Sequence, residues 1–138
     1  MSLTTLLSFL LVSYSSSTFK VRVTSIPLVR IIPFEFTSHH VLTISSEQVN
    51  KNAQVVLDFL PLDRSNILTI IALLMGQSKP GQIRQVVVNE ELMSSQMSSC
   101  VDQITNSWNT DINIYNNNCQ HFSDHVIRIC EQTKAENQ

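Results

Sequence analysis

The sequence predicts an α+β domain, a small antiparallel sheet packed against helices. Short β-branched runs alternate with stretches whose apolar residues recur at helical spacing. Pro, Gly and Asn punctuate the joins. Only 2 glycines occur in 138 residues, too few for a glycine-rich phosphate loop or a dinucleotide fingerprint. The length suits one domain.

The elements follow in order from Phe34. His40 to Ile44 is short, apolar and β-branched and reads as a strand, and Gln54 to Leu60 reads as a second, closed by Pro61. Polar residues from Ser45 to Asn52 join them as a hairpin. Asp63 or Ser65 then caps a helix running through Met75, with Ile67, Ile70, Ile71 and Leu74 as its buried stripe and Gly76 as its left-handed terminator. Lys79-Pro80-Gly81 reads as a turn, and Ile83 to Val88 as a third strand. A helix starting at Glu90 or Ser94 and reaching Trp108 carries Met97, Val101, Ile104 and Trp108 on its core face. Asp111 to Tyr115 is extended, Asn116 to Asn118 is a turn, and Cys119 to about Gln132 is the last helix.

A net charge of -2 without a basic run argues against nucleic acid as partner. The charge is unevenly placed. Residues 1–34 hold Lys20, Arg22, Arg30 and no acid, whereas 35–138 hold six basic and eleven acidic residues. Eleven of the first 25 residues are Ser or Thr, around an apolar stretch from Leu6 to Val12. This acid-poor, hydroxylated composition marks 1–30 as a targeting segment, an organelle transit peptide or alternatively a secretory signal, ahead of one domain at 35–138. The stretch is far shorter than the ~20 residues of a membrane-spanning helix, so no integral span is expected.

The three cysteines, Cys100, Cys119 and Cys130, cannot all pair within the chain, and their spacing fits no zinc-binding pattern. Cys100 and Cys130 read as small core hydrophobes. Cys119 opens a helix, where the backbone dipole and unpaired N–H groups suit a nucleophilic thiolate. Phe122 and Val126, three and seven residues on, turn its face inward. His121 and His125 lie one turn apart on another side and read as solvated residues rather than metal ligands; neither a metal nor a cofactor is expected.

A thiol nucleophile needs a base from elsewhere in the fold. His39 and His40 open the first strand, and alternation sends them to opposite faces, so only one faces the core. Asp58 interrupts the apolar run Val55 to Leu60 and is costly to bury unless paired. An imidazole on the neighbouring strand is a fitting partner.

Asn118-Cys119-Gln120-His121-Phe122 resembles the N-C-[EQ]-H-F signature of the lecithin:retinol acyltransferase-like proteins, on the circularly permuted branch of the papain-like thiol hydrolases. There a strand histidine precedes a helix cysteine, the order found here. The chain also resembles the plant reversion-to-ethylene-sensitivity family: compare His40 to Ile44, Val56-Leu57-Asp58-Phe59 and the Asn118 to Phe122 motif. Trp108 to Tyr115 is similar to a segment of small plant plastid proteins of unassigned function, which implies a chloroplast destination, with the secretory pathway as alternative. The resemblance covers about residues 38–131 and implies a permuted papain-like fold with Cys119 as nucleophile, His40 as base and Asp58 as orienting group. The implied activity is that of a thiol-dependent hydrolase or acyltransferase acting on an amide, ester or thioester of a small molecule or protein, through an acyl-enzyme. Backbone N–H groups near Cys119 would then hold the oxyanion. The alternative is a non-catalytic papain-like binding module or a redox-responsive one.

Overall fold

The computed structural model describes residues 19–27, 38–47 and 52–136. Its elements are β1 (Phe19–Pro27), β2 (Ser38–Ser46), β3 (Gln54–Pro61), α1 (Ile67–Leu74), β4 (Lys79–Val88), a 3-10 turn at Glu90–Leu92, α2 (Ser95–Ser107), β5 (Asp111–Ile112) and α3 (Cys119–Glu136). The five strands lie in sequence order, each antiparallel to the next, giving the expected α+β architecture. No helix among the described residues is long and apolar enough to cross a membrane.

Alternation along the strands builds the core. Val55, Leu57 and Phe59 of β3 are fully buried beside Leu42 and Ile44 of β2, with Leu42 opposite Leu57 and Ile44 opposite Val55. Met97, Cys100, Val101 and Ile104 of α2 and Phe122, Val126 and Cys130 of α3 join the cluster, as do Phe19, Ala53, Leu73 and Ile112. Ser94 caps α2 by accepting the Met97 N–H at 3.1 Å. The rings of Phe59, Trp108 and Phe122 meet with centroids 5.3 to 5.7 Å apart, which anchors the first turns of α3 to the sheet.

The structure corrects several readings. The sheet begins at β1, inside the 1–30 stretch assigned to targeting: Phe19 is fully buried and β1 pairs with β2 along its length. The missed signal was the alternation Phe19, Val21, Val23, masked by the serine-rich composition around it. Leu6 to Val12 and residues 48–51 of the 45–52 connection lie outside the described residues. Lys79-Pro80-Gly81 is strand rather than turn, Gly81 facing Pro61 and Pro80 facing Asp111. Glycine is required there because the Gly81 N–H reaches the Thr110 carbonyl at 2.7 Å, and a Cβ would meet that same oxygen.

In α1, Asn66 is the cap, accepting the Leu68 N–H at 2.9 Å, and Gly76 terminates the helix at φ +86° as expected. The stripe differs: Thr69 and Leu73 are buried, while Ile67 is 68% and Ile71 46% exposed. A short helix that is apolar all round carries no period from which its buried side can be read.

Cys100 and Cys130 are core residues as expected, but they are also joined as a disulfide between α2 and α3, with Cα atoms 5.1 Å apart. Closing a loop with a sequence separation of 30 stabilises the fold by about 3–4 kcal/mol in the chain-entropy account. Urea unfolding with and without a strong reductant measures this directly; coincident midpoints would contradict it.

Candidate active site

Strand register decides which groups meet. His40 has the parity of Leu42 and Ile44 and therefore belongs to the core face. His39 has the parity of Val41, which stands opposite Asp58, and Asp58 in turn stands opposite Arg84 on β4. Three adjacent strands thus contribute His39, Asp58 and Arg84 to the other face. His39 and Asp58 are each only 6% exposed.

The three side chains form one ionic chain. The His39 Nε2–H donates to Asp58 Oδ2 at 3.0 Å. Arg84 donates its Nε–H to Asp58 Oδ1 at 2.8 Å and an Nη2–H to Oδ2, a two-point grip on the carboxylate. Burial opposes the charge on Asp58, yet the bonds to Arg84 and His39, together with their charges, draw its pKa down to about 2. Burial likewise opposes a charged imidazole, but hydrogen bonding to Asp58 and Cys119 outweighs it and lifts His39 to about 9. The Asp58 carboxylate raises Arg84 further, so Arg84 stays charged throughout.

Cys119 is brought to His39 by the first turn of α3. Asn118 caps that helix, its Oδ1 accepting the N–H groups of Gln120 and His121 at 2.9 and 3.1 Å. The cap is itself pinned, since Asn118 Nδ2 donates to the Ile114 carbonyl at 2.8 Å. Behind it, Asn113 accepts the backbone N–H groups of Tyr115 and Asn116 through Oδ1 and donates to the Gly76 carbonyl at 3.0 Å. Phe122 and Val126 are fully buried, as their spacing from Cys119 predicts. The half-buried Cys119 thiol is thereby held beside the His39 ring, close enough to help raise its pKa. With Nε2 committed to Asp58, Nδ1 is the remaining ring nitrogen, buried and without a partner of regular hydrogen-bond geometry among the described residues. Contacts between nucleophile and base are often loose before substrate binds.

The sequence-derived set is therefore placed as follows. Cys119 and Asp58 both meet a strand histidine, and that histidine is His39. His40, assigned the base from sequence, is half-buried on the core face, with no bond described between it and either Asp58 or Cys119. Arg84 was missed, although a lone arginine inside the run Ile83 to Val88 signals a partner on the next strand. Of the backbone N–H groups near Cys119, those of Gln120 and His121 are taken by the Asn118 side chain and that of Phe122 by the Asn118 carbonyl.

Two other clusters carry different chemistry. His125 is half-buried rather than solvated. Arg128 donates to its Nδ1 at 3.0 Å, which leaves the proton on Nε2 to be donated to Ser107 Oγ at 3.0 Å. Ser107 donates its own O–H to the Gln103 carbonyl, so this pair is not poised as nucleophile and base. Burial, and then the Arg128 charge, lower the His125 pKa. A groove of about 800 Å³ runs along α2 past Ser98, Asp102, Ser107 and Ile129 and includes none of Cys119, His39 and Asp58 in its walls. Among the described residues no group of three His, Cys, Asp or Glu side chains is arranged to hold a metal ion. Compared with known proteins, the chain matches no family model, no curated protein and no solved structure.

Proposed function

We propose that the chain is a thiol-dependent hydrolase or acyltransferase on a permuted papain-like fold, with Cys119 as nucleophile, His39 as its acid–base partner and Asp58 as the orienting group. The observation that carries this reading is the His39 imidazole, bonded to a buried carboxylate through Nε2 and neighboured by the Cys119 thiol. That is the arrangement by which an otherwise weak nucleophile is activated and its base held in one orientation. With His39 held protonated at neutral pH, the reacting pair is a Cys119 thiolate beside the imidazolium, and the thiolate attacks the carbonyl carbon of an amide, ester or thioester. The imidazolium gives its proton to the leaving amine, alcohol or thiol as the carbon–heteroatom bond breaks. Water, or an acceptor amine or alcohol, then resolves the thioester.

An activated ester tests it. p-Nitrophenyl acetate is expected to give a burst of one nitrophenolate per chain and an acetyl adduct on Cys119 by peptide mass mapping. Cys119→Ser abolishes both. Acetylation spread over surface lysines, with no burst, would overturn the reading.

The Cys100–Cys130 bond favours the redox-responsive alternative only if it can be reached, and both residues are fully buried. What the bond does support is an oxidising destination. Of the two proposed addresses, this favours the secretory pathway over the chloroplast.

A further inference from the structure

The motif that carries Cys119 contains a histidine with no part in the acyl-transfer scheme, and its contacts give it one. His121 Nδ1 accepts the backbone N–H of Asn118 at 3.1 Å, while the His121 N–H donates to Asn118 Oδ1, also at 3.1 Å. This is a reciprocal capping box, with imidazole in the position where glutamate or glutamine ordinarily closes the ring. His121 is exposed, and these described bonds both go to Asn118, the residue immediately before the nucleophile. With the remaining bonds to Gln120, Phe122 and Ile114, the backbone and side-chain polar groups of Asn118 are all engaged.

We propose that His121 is a positioning residue for Cys119: by closing the box it fixes the backbone entering α3 and so the direction in which the thiol leaves the helix towards His39. The proposal rests on the reading of Cys119 as nucleophile and adds to it what holds that nucleophile in line. It requires His121 to present an unprotonated Nδ1 to Asn118, with the proton on Nε2. It also predicts which replacements are tolerated. Glutamine offers a carbonyl oxygen at comparable reach, whereas alanine and lysine offer no acceptor.

The test measures iodoacetamide alkylation of Cys119 in the full-length protein, together with hydrogen exchange at the Asn118 amide. His121→Ala is expected to slow alkylation roughly tenfold, the scale of effect a small misplacement produces, and to expose the Asn118 N–H. His121→Gln restores both the rate and the protection, and His121→Lys restores neither. Lost protection at Asn118 with an unchanged alkylation rate makes His121 a structural cap alone and overturns the proposal, as does unchanged protection in His121→Ala. The wild-type rate separates the two readings: if Cys119 reacts no faster than free cysteine, the nucleophile reading fails, and the positioning role fails with it. Failure confined to the variants, with fast wild-type alkylation, leaves the nucleophile standing and removes only His121.

Discussion

Alanine at His39 is expected to slow acylation of Cys119 by about 10²–10⁴-fold, the usual contribution of a positioned acid–base group, whereas alanine at His40 leaves the rate unchanged. The contrast is sharp because the two residues are neighbours of one type, differing only in the face of β2 they occupy. His39 is bonded to Asp58 and adjoins Cys119; His40 sits on the Leu42 and Ile44 face. Single-turnover kinetics with p-nitrophenyl acetate, alongside circular dichroism to show that both variants fold, make the measurement. Equal losses in the two variants, or a loss only in His40→Ala, would overturn the assignment of the base.

The second large effect is on stability. Asp58→Asn is expected to cost roughly 3 kcal/mol near pH 6, on the scale of 1.36 kcal/mol per pKa unit. The amide keeps the shape of the side chain and loses the charge that holds His39 from its ordinary 6.5 up to about 9. In the wild-type protein the His39 contribution is fully present below pH 6.5 and is lost as pH rises through about 9. The Asp58 contribution runs the other way, present above pH 3.8 and lost as pH falls through about 2. Stability from this cluster is therefore greatest between pH 4 and 6.5. The penalty of Asp58→Asn shrinks at pH 10, where His39 is neutral in both proteins and only the lost bond to Arg84 still separates them. Urea midpoints for both proteins at pH 6 and 10 test this; a penalty independent of pH would contradict it.

Much of the fold could be read because local pattern and tertiary packing agree. The strands around Leu42 and Leu57, the caps at Ser94 and Gly76, and the helix beginning at Cys119 each carry their own signal. The site was legible in its types, a helix thiol, a strand histidine and a lone buried aspartate. It was not legible in its pairing, because choosing between His39 and His40 requires knowing that Val41, not Leu42, stands opposite Asp58. Composition cannot supply that number. Arg84 was hidden for the same reason, since its role exists only once β4 is laid against β3. The Cys100–Cys130 bond was hidden because burial and disulfide formation favour the same residue type, and only the crossing of α2 and α3 distinguishes them.

Two consecutive histidines at the start of β2 also create a specific hazard during assembly. If β2 slid by one residue against β3, His40 would arrive where His39 belongs, and the ionic chain could form with the wrong partner. The same slide would turn Leu42 and Ile44 out of the core. Exposing those two side chains costs about 3–6 kcal/mol, which holds the slipped form below about one molecule in a hundred. The oily residues of β2, which take no part in any proton transfer, thus act as proofreaders for the chemistry two positions away.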